Sequence, residues 1–69
     1  MRLSARNQLA GTVTQVATGA VTDTVKVQLR GGDVVTASIT KEAVEELGLQ
    51  AGSNVTVVVK ASDVLLAVD

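Results

Sequence analysis

The chain has 69 residues, six basic and seven acidic, for a net charge of −1, and it contains no cysteine, histidine or aromatic residue. That length bounds it to one small domain, taken as residues 1–69; without Cys it has no disulfide or thiolate metal site, and without His it lacks the commonest transition-metal ligand and general base. Scattered charge with neither a basic face nor stacking aromatics argues against nucleic acid, and the apolar runs fall far below the roughly 20 residues that cross a bilayer. Arg2 is followed by no apolar signal-peptide core, so a cytoplasmic protein is expected. With 46% of residues hydrophobic, mostly Val, Leu and Ala, and no staple for so small a core, association with copies of itself is the remaining remedy.

The chain opens on a polar stretch, Ser4-Ala5-Arg6-Asn7-Gln8, that leads directly into an alternating segment. Residues 9–16 read as a first strand whose alternation slips near Val16, and Gly11 inside it marks a bulge or a close backbone approach. Ala17-Thr18-Gly19-Ala20 is a turn signal. Residues 21–29 alternate most cleanly, with Val21, Val25, Val27 and Leu29 on one side and Asp23 the only polar residue among them. Gly31-Gly32 then signals a hairpin, because glycine accepts positive φ without steric cost, and residues 34–39 form the third strand.

At Thr40 the period changes. Thr40 is a capping residue, Glu42 suits a first helical turn, Ala43, Val44 and Leu47 form an apolar stripe, and Gly48 suits the end of a helix over Lys41–Leu47. Leu49 after it is a candidate core plug. Residues 55–60 form a fourth strand, with consecutive valines that call for cover on both faces, and residues 64–68 a fifth after the break at Ala61-Ser62-Asp63. Five short strands with one helix between the third and fourth is the order of an OB-fold, so the expected class is all-β, a small five-stranded OB-like barrel.

A catalytic reading finds no support. No His, Cys or Tyr can serve as base or nucleophile, the hydroxyls have no activating partner, and Glu42, Glu45 and Glu46 read as the solvated side of the helix. Gly31-Gly32 lacks the Lys-Ser/Thr and helix of a phosphate loop. Anion binding fits better, since an oxyanion needs donors and positive charge. Ser4-Ala5-Arg6-Asn7 supplies hydroxyl, amide and a guanidinium with five donors in a fixed fork; Lys60-Ala61-Ser62 supplies an ammonium, a bend with free N–H groups and a hydroxyl. Each segment alone reads equally as a solvated strand end; the pair favours a site. Asp63 is then expected to point away and cap the turn at Ser62.

These segments, with Gly11, Val35-Thr36-Ala37-Ser38-Ile39-Thr40, Val44-Glu45-Glu46-Leu47-Gly48-Leu49, Gly52 and Val59-Lys60-Ala61-Ser62-Asp63-Val64, resemble the molybdate-binding Mop domain, the molbindin group of the wider TOBE family, over essentially the whole chain. The resemblance implies non-enzymatic storage or homeostasis of molybdate or tungstate, with no organic cofactor and no direct metal–side-chain bond. It implies a homohexamer, a trimer of dimers, with oxyanion sites between subunits. By position, Ser4, Arg6 and Asn7 would come from one subunit and Lys60, Ala61 and Ser62 from its neighbour, with Thr36, Ser38 and Ile39 nearby; Gly19, Ala20 and Val21 would supply backbone to a second oxyanion site. The alternative is a TOBE-type module that senses oxyanion for a transporter or regulator.

Overall fold

The computed structural model describes residues 1–69. Four antiparallel strands, β1 (Asn7–Thr18), β2 (Thr22–Leu29), β3 (Val34–Thr40) and β4 (Asn54–Val59), form one sheet in the order β3-β2-β1-β4. The sheet curls into a half-barrel over one short helix, α1 (Lys41–Leu47), and a single 3₁₀ turn (Ala61–Asp63) follows β4. The central pair, β1 and β2, is bridged by register pairs from Gly11–Leu29 to Thr18–Asp23.

The slip in the β1 pattern is a β-bulge between Val13 and Gln15. The extra residue returns Val16 to the side that Val13 occupies, which is why both meet the core although they are three positions apart. Gly11 is not the bulge; it is the close approach. A Cβ there would stand 2.6 Å from Val27 Cγ1 and 2.9 Å from the Gln28 carbonyl oxygen. The β2–β3 hairpin closes through Arg30, Gly31 and Gly32, with Leu29 N–H donating to the Asp33 carbonyl at 2.8 Å and Gly32 at φ 99° taking the left-handed turn position.

Strand parity then sorts the side chains. Val13, Val25 and Val27 line the concave face with Val44 of α1, and Val16, Ala37, Ile39, Leu49, Val55 and Val57 pack against them. The Thr40 side chain caps α1 by accepting the Ala43 N–H at 3.1 Å, and Gly48, left-handed at φ 62°, ends it. The Leu49 N–H donates to the Val44 carbonyl at 3.1 Å, which turns Leu49 back onto the core as its plug.

Residues 64–68 depart from expectation. They form no ladder with any strand, so the chain's own sheet has four strands rather than five and stays open between β3 and β4. Leu65, Leu66 and Val68 are 92%, 93% and 97% exposed. A continuously apolar strand needs cover on both faces, and one sheet with a seven-residue helix offers a single chain no second layer to supply it.

Candidate anion-binding site

The end of the sheet where β1 begins and β4 finishes gathers the two segments singled out in the sequence. Asn7 pairs with Val59 as the last step of the β1–β4 ladder, so Arg6, in the bend before β1, and Lys60, just after β4, lie at the same end of the sheet. Both are exposed, and neither has a carboxylate within ion-pair distance; the chain's one salt bridge lies elsewhere, between Lys41 and Asp23. Like charges gathered at one end of a sheet repel. A dianion between them would turn that repulsion into attraction.

The side-chain N–H groups of the opening stretch's amides are engaged within the chain. Asn7 Nδ2 donates to the Val59 carbonyl at 3.2 Å and pins the arm to β4, while Gln8 Nε2 donates to the Ala5 carbonyl at 3.1 Å and fixes the bend before it. Ser4 and Arg6 are left with no hydrogen bond inside the chain. Across from them, the Asp63 N–H closes the 3₁₀ turn on the Lys60 carbonyl at 2.9 Å, and the Val64 N–H reaches the Ala61 carbonyl at 3.3 Å. The Ala61 and Ser62 N–H groups and the Ser62 hydroxyl find no acceptor in the chain. Asp63 caps nothing: the turn has no side-chain cap, and the expectation that its carboxylate would serve as one is corrected. This end therefore holds a guanidinium, an ammonium, two hydroxyls and two backbone N–H groups, none of them bonded within the chain.

Thr36, Ser38 and Ile39 stand on β3, the edge of the sheet opposite β4, with β2 between them and the strand that Arg6 leads into. One chain does not bring them to Arg6 and Lys60. Thr36 and Ser38 face outward, while Ile39 packs on the core and has only its backbone to offer. Lys26, which the sequence reading passed over, pairs with Thr36 in the β2–β3 register and places Nζ 3.4 Å from Thr36 Oγ1. Counting outward from the Gly31-Gly32 turn would have found it, because hairpin parity puts the two on one face.

Gly19, Ala20 and Val21 lie at the other end of β1. The Gly19 N–H is already spent on Asp23 Oδ1 at 3.2 Å, and a Cβ on Gly19 would collide with the Thr22 carbonyl. The Ala20 and Val21 N–H groups are free. They border a hollow shared with Lys41, Glu42 and Glu45, where Lys41 Nζ is held 3.3 Å from Asp23 Oδ1. Two glutamates and a neutralised lysine make this a poorer seat for an anion than the Arg6–Lys60 end.

The family model for the TOBE domain matches residues 3–66. The chain belongs to the TOBE domain family. This TOBE domain is 44% identical over 66 residues to molybdenum-pterin-binding protein 3 of Clostridium pasteurianum, covering 96% of this chain and 97% of the relative. Among solved structures it superposes on MopII of Clostridium pasteurianum with a TM-score of 0.91 and 42% identity, over 97% of this chain and all of that one. On the cytoplasmic molybdate-binding protein ModG, crystallised with molybdate bound, the TM-score is 0.96 and the identity 52%, over 100% of this chain and 49% of ModG. No helix of the domain is long and apolar enough to cross a membrane.

Proposed function

We propose that this TOBE domain, residues 1–69, is a non-enzymatic binder of molybdate or tungstate that serves cytoplasmic storage or homeostasis. The observation that supports it most is that Arg6 and Lys60 lie at the same end of the sheet with no carboxylate partner, where Ser4, Ala61 and Ser62 add donors not bonded within the chain. A tetrahedral dianion matches that set, with the two cations balancing its charge and the hydroxyls and N–H groups orienting its oxygens. The relatives named for molybdate and molybdenum-pterin binding, none of them named as an enzyme, point the same way.

The site is completed between copies. Thr36, Ser38 and the Ile39 backbone, on the far edge, reach an anion at Arg6 and Lys60 only from a neighbouring subunit, bringing Lys26 with them. Association is favoured by the bare tail and by an apolar mouth of about 210 Å³ on the concave side, lined from both edges by residues such as Ile39 and Val57. A partner's residues 64–68 laid into that opening would bury the tail and close the half-barrel into a five-stranded, OB-like barrel. The hexameric order, a trimer of dimers, rests on the resemblance to molbindins.

Calorimetric titration of the purified protein with molybdate, read beside native mass spectrometry, tests this. Saturable binding to an oligomer is expected; a monomer indifferent to molybdate overturns it. A sensing module for a transporter or regulator is the second reading, prompted by the fold's recurrence as half of the longer ModG chain. It is favoured if the domain binds molybdate only when joined to further segments.

A further inference from the structure

The largest hollow on the molecule is not at the Arg6–Lys60 end. It measures about 470 Å³ and opens on the convex face, across β2, β1 and β4. Its floor is Ala10, the smallest side chain available to a strand position other than glycine, and its rim is polar: Thr12, Gln28, Arg30, Asn54 and Thr56. The registers explain the gathering. Gln28 pairs with Thr12, Thr12 with Asn54, and Ala10 with Thr56, while the Leu29–Gly11 pair carried one step on sets Arg30 beside Ala10. Two rows of outward side chains thus frame one small residue.

None of the five polar side chains hydrogen-bonds within the chain, and Arg30 has no ion-pair partner. No carboxylate lines the hollow; Asp33 borders an adjoining one that Ala10, Leu29 and Arg30 also line, without forming an ion pair with Arg30. One guanidinium is therefore available for an anionic group, and two carboxamides and two hydroxyls for a body rich in donors and acceptors. The hollow is open, with all five polar side chains exposed, and its volume exceeds what a bare four-oxygen anion fills. The lining is polar rather than apolar, which selects a hydrophilic occupant over a greasy one.

We infer that this hollow is a second binding site, separate from the Arg6–Lys60 end, for a phosphorylated small molecule whose phosphoryl group meets Arg30 and whose polar body is held by Thr12, Gln28, Asn54 and Thr56 over Ala10. Nucleoside monophosphates and sugar phosphates belong to this class. The bidentate fork of arginine fits two phosphoryl oxygens, and the carboxamides read a heterocycle edge or sugar hydroxyls equally well.

The test uses adenosine 5′-monophosphate and ribose 5-phosphate as probes, added to the isotopically labelled protein and followed by amide and side-chain NMR. At least one probe is expected to shift Thr12, Gln28, Arg30, Asn54 and Thr56 with submillimolar affinity, and adenosine or inorganic phosphate alone to bind about tenfold more weakly. Arg30→Gln should weaken the probe at least tenfold. Ala10→Leu should weaken it as much by filling the floor while removing no charge; Ala10→Val is the substitute if the leucine variant loses its far-ultraviolet circular dichroism. Molybdate titration of the same variants should be unchanged, which keeps this outcome separate from the reading of the Arg6–Lys60 end. The inference is overturned if neither probe binds at millimolar concentration, if the variants bind as the wild type does, or if the shifts fall on Arg6, Lys60 and Ser62.

Discussion

The two ends of β1 carry cations that have met different fates. At one end Lys41 is matched by Asp23, which is 5% exposed and also accepts the Gly19 N–H, so the charges are consumed in tying α1, β2 and the β1–β2 turn together. At the other end Arg6 and Lys60 lie just past the last β1–β4 pair with no carboxylate to answer them. A net charge of −1 conceals this division. The contrast teaches that in a nearly neutral domain the cations that matter for an anion are the ones the fold leaves unpaired, and that the paired ones belong to stability.

The largest effect expected from that contrast is at the paired end. Asp23→Ala leaves the Gly19 N–H without its acceptor and Lys41 without its partner; because Lys41 stays partly hydrated, the loss should be about 2 kcal/mol rather than the larger cost of a fully buried pair. Urea denaturation measures it, and molybdate affinity normalised to folded protein should hold. Arg6→Ala should do the reverse. Molybdate binding weakens at least tenfold, about 1.4 kcal/mol, while the urea midpoint moves little, since an exposed side chain with no partner supports no fold. An Arg6→Ala protein with unchanged affinity in calorimetry would dissolve the distinction between the ends.

A finer probe is the double variant Arg6→Ala, Lys60→Ala. If both cations face one anion, its loss of affinity should differ from the sum of the single losses by about 0.5 kcal/mol or more, whereas strict additivity would place them on separate ligands. The smallest effect is expected from Glu42→Gln with Glu45→Gln. Stability should stay within about 0.5 kcal/mol, and the hollow at Ala20 and Val21 should become more receptive to anion, visible as an additional weak step in the titration. An unaltered titration would show that the acidic rim is not what separates the two ends.

Much of the fold could be read directly from residues. Period-two alternation placed four strands, the change of period at Thr40 with Gly48 beyond it placed the helix at Lys41–Leu47, and the slip at Val16 was the trace of the bulge after Val13. These are local signals, since each depends on neighbours along the chain. Residues 64–68 join no sheet of their own chain, because apolar content announces a need for burial without saying which surface meets it, and no surface of a single chain does.

The site divides along the same line. The sequence by itself determined which residues carry donors and charge, Arg6 and Lys60 among them, and excluded thiolate, imidazole and aromatic chemistry outright, because composition alone limits what a side chain can do. Only the tertiary structure decided which of those charges are free. The pairing of Asn7 with Val59 brings Arg6 and Lys60 to one end of the sheet, the α1–β2 contact spends Lys41 on Asp23, the β2–β3 register lends Lys26 to Thr36, and the sheet order holds Thr36 and Ser38 on the far edge. Strand register is a relation between distant segments, and the availability of a charge is settled by what that relation puts next to it.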